Sequence, residues 1–440
     1  MKAKEIILLI LIIAAGIFFY HAQTGKIDIF WDFDGHLFFN LEEYTFEEST
    51  EISPPLPSRL QITNRHGDVE IEGTEEEKIT ILLRKTIWRR NEEQAKNVSD
   101  RLKMIVSRDE NLCTITTNRD ELRRKNFETH FRISVPLSMD ITVRNAYGMV
   151  KVSNVASADI LNPHGEVAIS DIQGELITKN SYEDVRVERI NASCQVESKH
   201  SDVAVFDVGG GVKVEHRYGK VRLENISQNV EIDGSHTEVF GQNLRGKTGV
   251  VTSYEDIMLM DVGPTKITGR QSTVEVDGSK GQLELTHRYG TVKLHNIQGD
   301  LFVDCQNTSV YGSQLTGEKI IISSSYRDIE LAEFSGETII TLSNGDIFLE
   351  PAPLVNPLRV EGRYCDIEFS MPFQEKYPLE ARTKGGDISW KLPDELSSQE
   401  ENGITVIKAF LEEADRPSIF LSTRYGDITI EEQPAPKSRL

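Results

Sequence analysis

Cysteine is scarce and scattered in this chain. Its four thiols, Cys113, Cys194, Cys305 and Cys365, form no CxxC pair, so no zinc or redox motif of that kind exists. A chain of 440 residues needs no disulfide scaffold, and isolated thiols of this sort read as buried strand residues. Positive charge is also short. The 49 Lys and Arg face 70 Asp and Glu, a net charge of −21. Such a surface repels phosphate backbones, which argues against nucleic acid as a partner. There is no nucleophile elbow, no HExxH pair, no phosphate loop and no calcium-binding nonapeptide repeat. No catalytic residue, cofactor or metal is therefore expected. Apolar content is 38% and charged content 27%, which is enough to build a core.

Only one long apolar run occurs, Ile6 to Tyr20, preceded by Lys2 and Lys4. As a helix it spans about 22 Å, less than a ~30 Å hydrocarbon layer. Residues 1–22 are read as a signal anchor or signal peptide, with the anchor favoured because Tyr20 occupies the place a cleavage site wants small. The basic flank stays inside, so the bulk is exported and extracytoplasmic, held at the cytoplasmic membrane through Ile6–Tyr20. Residues 23–58 form a membrane-proximal linker with a stiff "SPPLPS" connector.

Residues 59–144 read as a small N-terminal α+β cap. "RLQITNRHGDVEIEG" alternates apolar and polar residues, as strands around a turn do. A helix follows, with Asn91 and Gln94 as a capping box and Ala95, Val98, Leu102 and Ile105 on one face.

Residues 145–432 are periodic, ahead of a tail at 433–440. "HRYGKVRLENI" (His216–Ile226) returns as "HRYGTVKLHNI" (His287–Ile297). Aliphatic anchors recur at Val150, Val167, Val185, Val203, Val221, Val239, Ile257, Val274, Val292, Val310, Ile329, Ile347, Ile367 and Ile388, mostly 17 or 18 residues apart. Ile428 closes the series after a step of 40 that contains "KLPDELSSQEENG", read as a loop. Each unit holds two apolar doublets, such as Val203/Val205 and Val212/Val214, each on one face of a strand. A single unit cannot bury that face, but about fifteen stacked units can. The expected fold is an all-β β-solenoid, or β-helix, with ~18-residue coils. Asn or Asp four places after the anchor, and Gly two places before it, suit corners. Tyr occupies alternate units, at Tyr147, Tyr182, Tyr218, Tyr254, Tyr289, Tyr326 and Tyr364. His164, His200, His236, Gln271, Asn307 and Asn344 fill the units between, so the sequence period is nearer 36. A coil of eighteen that alternates its corner residue is favoured over one four-stranded coil of 36, because Val and Leu fill a flat interior better.

"GDVEIEG", "CTITTN" after the helix, "FRISVPLSMDITVRNAYGMVKVSNV" and the many [YSN]-G-D-[VI] units resemble a bacterial family known as "putative adhesin", a domain of unknown function. They are similar also to head domains of autotransporter-like adhesins. The resemblance covers residues 59–432. It implies a single-stranded, right-handed β-helix without an agreed activity. The chain departs from the family in its Tyr/His alternation and its YED or YRD turns.

Acids recur just before the anchor, for example Asp184, Asp202, Asp256, Asp328, Asp346, Asp366, Asp387 and Asp427. A glycosidase needs one singular carboxylate pair, whereas these repeat with the coil and are read as turn residues. Histidines two coils apart, about 9.6 Å, cannot share an ion. The candidate binding residues are Tyr147, Tyr182, Tyr218, Tyr254, Tyr289 and Tyr326, with Arg217 and Arg288, since rigid aromatics beside Arg suit recognition. The expectation is a non-enzymatic cell-envelope protein, an adhesin or scaffold that presents this surface to a glycan or an envelope protein. The alternatives are an exported carbohydrate-active enzyme and an envelope-stress or signalling module.

Overall fold

The computed structural model describes residues 29–31, 37–39, 41–122, 126–393, 396–401 and 403–435. The proposed anchor Ile6–Tyr20 and the end of the tail lie outside these residues. Among the described residues no helix is long and apolar enough to cross a membrane. The chain divides into two compact units, residues 1–174 with 178–180, and residues 175–177 with 181–440.

In the second unit the coil is about eighteen residues long. Val203 pairs in parallel with Val221, and Val212 with Val230, each eighteen positions on. Thirteen further pairs join Thr265–Ser279 to Leu283–Ile297 on the same spacing. This settles the choice left open by the Tyr alternation, since a coil of 36 would pair residues 36 apart. Val203, Val205, Val208, Val212 and Val214 all point inward, none more than 3% exposed. The period-2 doublets account for four of these positions. The fifth, Val208, follows a left-handed corner at Asp207 (φ 58°), which breaks the alternation and turns the chain back toward the core. The same corner recurs at Asn225, Asn243, Asp261 and Asn296, where Asn and Asp tolerate positive φ. Each buried aliphatic contributes about 1.5–3 kcal/mol, and only because the coils on both sides cover it.

In the first unit the order of coils in space departs from the order in sequence. Strand Arg59–Thr63 lies between Leu112–Thr117 and Asp140–Arg144, parallel to both. Val69–Thr74 lies between Phe127–Pro136 and Val150–Val155. Residues 59–144 thus hold coil strands as well as the elements that close them. Met104–Arg108 and Ile79–Arg89 run antiparallel along the outermost coil, and Glu42–Ile52 covers Ile79–Arg89. Antiparallel covers of this kind end a parallel stack that would otherwise expose an open edge.

The helix Glu92–Arg101 packs on that end through Ala95 and Leu102, against Ile87, Leu122 and Phe127. Asn91 caps it by accepting the Gln94 N–H at 2.9 Å. The helix stops one turn earlier than the apolar face suggests. Leu102 is already extended, and Ile105 sits 44% exposed in the next strand. The stop is fixed by Lys85, buried among strands, whose Nζ donates to the Leu102 carbonyl at 2.6 Å and the Ser99 carbonyl at 3.2 Å. A cation there meets the negative end of the helix.

The second unit closes in a similar way. Ile419–Arg424 inserts between Leu358–Arg363 and Leu379–Lys384, and Ile428–Glu432 between Ile367–Met371 and Ile388–Trp390. The last coil in sequence is therefore the last but one in space. The stretch read as a loop is in part a hairpin. Ser397–Glu401 pairs with Ile404–Ala409, which runs antiparallel on Leu379–Lys384.

Val221→Asp would place an unpaired charge at a 1% exposed site, and it is expected to cost about 4 kcal/mol or more. A thermal transition unchanged from wild type would contradict the inward placement. Removing residues 219–254, two whole coils on this register, is expected to leave cooperative melting. Removing 219–227 breaks the register and should abolish it.

Candidate functional site

The repeated "HRYG" is a corner in which each residue has a different task. His216 and His287 point inward and are at most 2% exposed. Nε2–H of His216 donates to the Ser201 carbonyl at 2.9 Å, and Nδ1 accepts from the Thr237 hydroxyl at 2.9 Å. His287 lies between the hydroxyls of Ser272 (3.1 Å) and Thr308 (3.0 Å). A neighbouring coil gives each ring room by placing glycine in register, Gly234 beside His216 and Gly269 beside His287. A Cβ on Gly269 would come within 2.7 Å of the His287 ring. The inward role of these histidines was not foreseen from the sequence, although the pairing of His with Gly eighteen residues away is visible there. Burial holds the His216 imidazole below its ordinary pKa and lowers that of His287 to about 4. Asn145 and Asn162 take the same inward position in the first unit, where their amides donate to corner carbonyls such as that of Gly148.

Tyr follows at the corner itself. Tyr218, Tyr254, Tyr289 and Tyr326 all have left-handed backbones, with φ from 61° to 71°. That conformation is costly for an aromatic residue, about 1–3 kcal/mol. The next residue is tightly packed. A Cβ on Gly219 would lie 2.1 Å from the Ser201 carbonyl oxygen, so only glycine fits. The corner rings stack on one another. In the second unit Tyr182, His200, Tyr218, His236 and Tyr254 form one column with centroids 4.5 to 5.9 Å apart. Tyr364 and Tyr425 stack at 5.1 Å. In the first unit His66, Tyr147 and His164 stack at 4.6 Å. Stacking contributes about 0.5–1.5 kcal/mol per pair, which offsets the backbone strain. The alternation of Tyr with His therefore lies within one column of eighteen-residue coils. Tyr289 and Tyr326 take the same corner, with Gln271 and Asn307 in place of the intervening His. Each predicted tyrosine is 40–54% exposed. Arg217 and Arg288 project outward one residue earlier, in register with Lys199 and Arg270.

The recurring acid precedes the anchor and bonds to the next coil. Oδ1 of Asp184 accepts the Asp202 N–H, and Oδ1 of Asp202 accepts the Lys220 N–H, both at 3.0 Å. The series continues from Asp328 to Asp346, from Asp366 to Asp427 and from Asp427 to Asp387, at 2.8 to 2.9 Å. These carboxylates satisfy backbone donors where the strands part, so they are more than solvated turn residues. Among the described residues no group of three or more His, Cys, Asp or Glu is placed to hold a metal ion. All four cysteines are free and buried. Burial pushes the thiols of Cys194 and Cys305 up to about 12 and that of Cys365 to about 11, so thiolate chemistry is suppressed.

Parallel coils with a continuous aliphatic interior and left-handed corners define a β-solenoid. Residues 58–238 and 252–431 match the model of the Toastrack DUF4097 family, and the chain belongs to that family. No curated protein matches it. Among solved structures, a "putative cell adhesion protein" from Clostridium sporogenes ATCC 15579 matches at 9% identity over 89% of this chain and 100% of that one. Its TM-score is 0.18, a superposition too weak to speak to function.

The buried histidines make stability depend on pH. The unfolded His287 takes up a proton near pH 6.5, whereas the folded one resists to about pH 4. Its contribution is complete above pH 6.5 and is lost as the pH falls toward 4, up to about 3 kcal/mol. His287→Asn is expected to melt lower at pH 7 and to lose less Tm than wild type between pH 7 and pH 4.5. Equal acid slopes would show that this ring does not stay neutral.

Proposed function

We propose that this chain is a non-enzymatic cell-envelope scaffold of the adhesin type. It is exported, held at the cytoplasmic membrane by Ile6–Tyr20, and docks an envelope partner along its tyrosine corners. The observation that carries this reading is the column from Tyr182 to Tyr254, half-exposed yet immobilised by stacking. Rigid aromatics lose little entropy on binding, which is why they dominate recognition surfaces. The partner class follows from how the rings stand. Their faces are occupied by one another, so a sugar ring has little face to stack on. The hydroxyls and ring edges remain, and a protein surface or strand fits these better than a glycan does. A carbohydrate-active enzyme is disfavoured because the recurring carboxylates are engaged with backbone N–H groups of the next coil.

The test is a combined Tyr182→Phe, Tyr218→Phe and Tyr254→Phe variant of the full chain. It keeps the stack and removes three hydroxyls. Photo-crosslinkers at Arg217 and Arg288 would report the partner in envelope extracts. The reading expects one protein partner, captured at least about tenfold less by the triple variant at unchanged Tm, which corresponds to about 1.4 kcal/mol or more. Undiminished capture, or recognition confined to a glycan array, would overturn it.

A further inference from the structure

The second unit carries a concave basic site at its closing coils, on a chain of net charge −21. Where the hairpin Ser397–Glu401/Ile404–Ala409 continues the sheet, it borders a cleft of about 740 Å³. Five cations line it, Arg363, Arg382, Lys384, Lys408 and Arg424, against one carboxylate, Glu361.

The cations fall into two groups. Arg382 and Lys408 have an internal partner in Glu380, and Glu361 pairs with Arg359 outside the lining. Arg363, Arg424 and Lys384 have no carboxylate partner among the described residues; Arg363 lies over the Tyr364 ring at 5.2 Å. These three occupy the same outward position on three adjacent strands. Arg363 is in register with Arg424, and Arg424 with Lys384. Backbone bonds lock that register, from Tyr364 N–H to the Arg424 carbonyl at 2.7 Å and from Tyr425 N–H to the Lys384 carbonyl at 2.9 Å. Adjacent strands lie about 4.8 Å apart, and like charges directly opposite destabilise a sheet. In-register cation pairs recur on this sheet, as Lys199 with Arg217 and Arg270 with Arg288, and here three such cations line one cleft.

We propose that this cleft binds a multivalent phosphate ligand across Arg363, Arg424 and Lys384. Guanidinium forks and an ammonium suit phosphate oxygens. A phosphate monoester carries about −1.5 to −2 charges at neutral pH, so it neutralises a dense cation column with fewer groups than carboxylates need. The proposal is independent of the tyrosine-column reading, since it concerns the closing coils and needs no hydroxyl of the Tyr182–Tyr254 stack.

The experiment titrates the full chain, in non-ionic detergent, with tripolyphosphate and, separately, with the soluble lipid dihexanoyl phosphatidic acid. Wild type is expected to bind at least one of the two and to melt higher in its presence. The Arg424→Gln/Lys384→Gln variant should bind at least tenfold more weakly, while its Tm without ligand stays equal or rises because a repulsion is relieved. The control Arg217→Gln/Arg288→Gln should bind like wild type. Binding of tripolyphosphate alone assigns a soluble or polymeric phosphate, and binding of the lipid assigns a headgroup. Failure of wild type to bind either ligand at millimolar concentration would overturn the proposal, as would equal weakening by the control pair.

Discussion

Everything in this protein rests on equivalent aliphatic side chains meeting from coil to coil. Val203 over Val221, Val212 over Val230 and Val274 over Val292 are each held by a parallel backbone ladder and by the removal of their methyl groups from water. Neither element suffices alone. A short parallel strand has no local partner, and a single coil has no second layer to cover its interior. The hydrophobic effect selects which residues face in, and the ladder selects the register in which they meet.

That constraint transfers the difficulty to the corners. A coil of eighteen residues must reverse direction twice, and each reversal takes a residue with positive φ and strands some backbone donors and acceptors. The chain resolves this by stacking like groups. Carboxylates bridge to the next coil's N–H, inward amides or imidazoles bond to corner carbonyls and hydroxyls, and aromatic rings cover the left-handed residues. The corner is thus costly as a single copy and acceptable as a column. The residues that look most like chemistry in this sequence, the repeated Asp, His and Tyr, are the ones a stacked corner requires. What stands apart are features that stacking does not explain, namely the exposed hydroxyls of the tyrosine column and the closing-coil cations that have no carboxylate partner among the described residues.

Both units end their parallel ladders by the same physical means. A strand from the chain's own first or last coil is inserted one place from the end, and antiparallel segments cover the outermost coil. Insertion ties the terminal coil to a segment distant in sequence, so it cannot fray as an independent flap. Antiparallel cover replaces a parallel edge that would accept a foreign strand. In the first unit the helix adds an apolar plug held by Lys85. In the second unit the hairpin instead leaves a concave, cationic border.

Much of this was legible in the residues alone. Spacing of Val and Ile identified inward positions and corners and favoured the eighteen-residue coil over one of 36, and the tyrosines at those corners are exposed. These properties are local. A two-residue alternation, a turn residue and a period are written in consecutive positions. What only the tertiary structure decided is which coil lies beside which. Val69 touches Phe131 and Val150, and Ile428 separates Ile367 from Ile388, although the sequence order says otherwise. The inward turn of His216 beside Gly234, the bonds of the repeated aspartates and the meeting of Arg363, Arg424 and Lys384 all follow from that lateral order. Hydrogen bonding between strands depends on proximity in space, and separation along the chain carries no record of it.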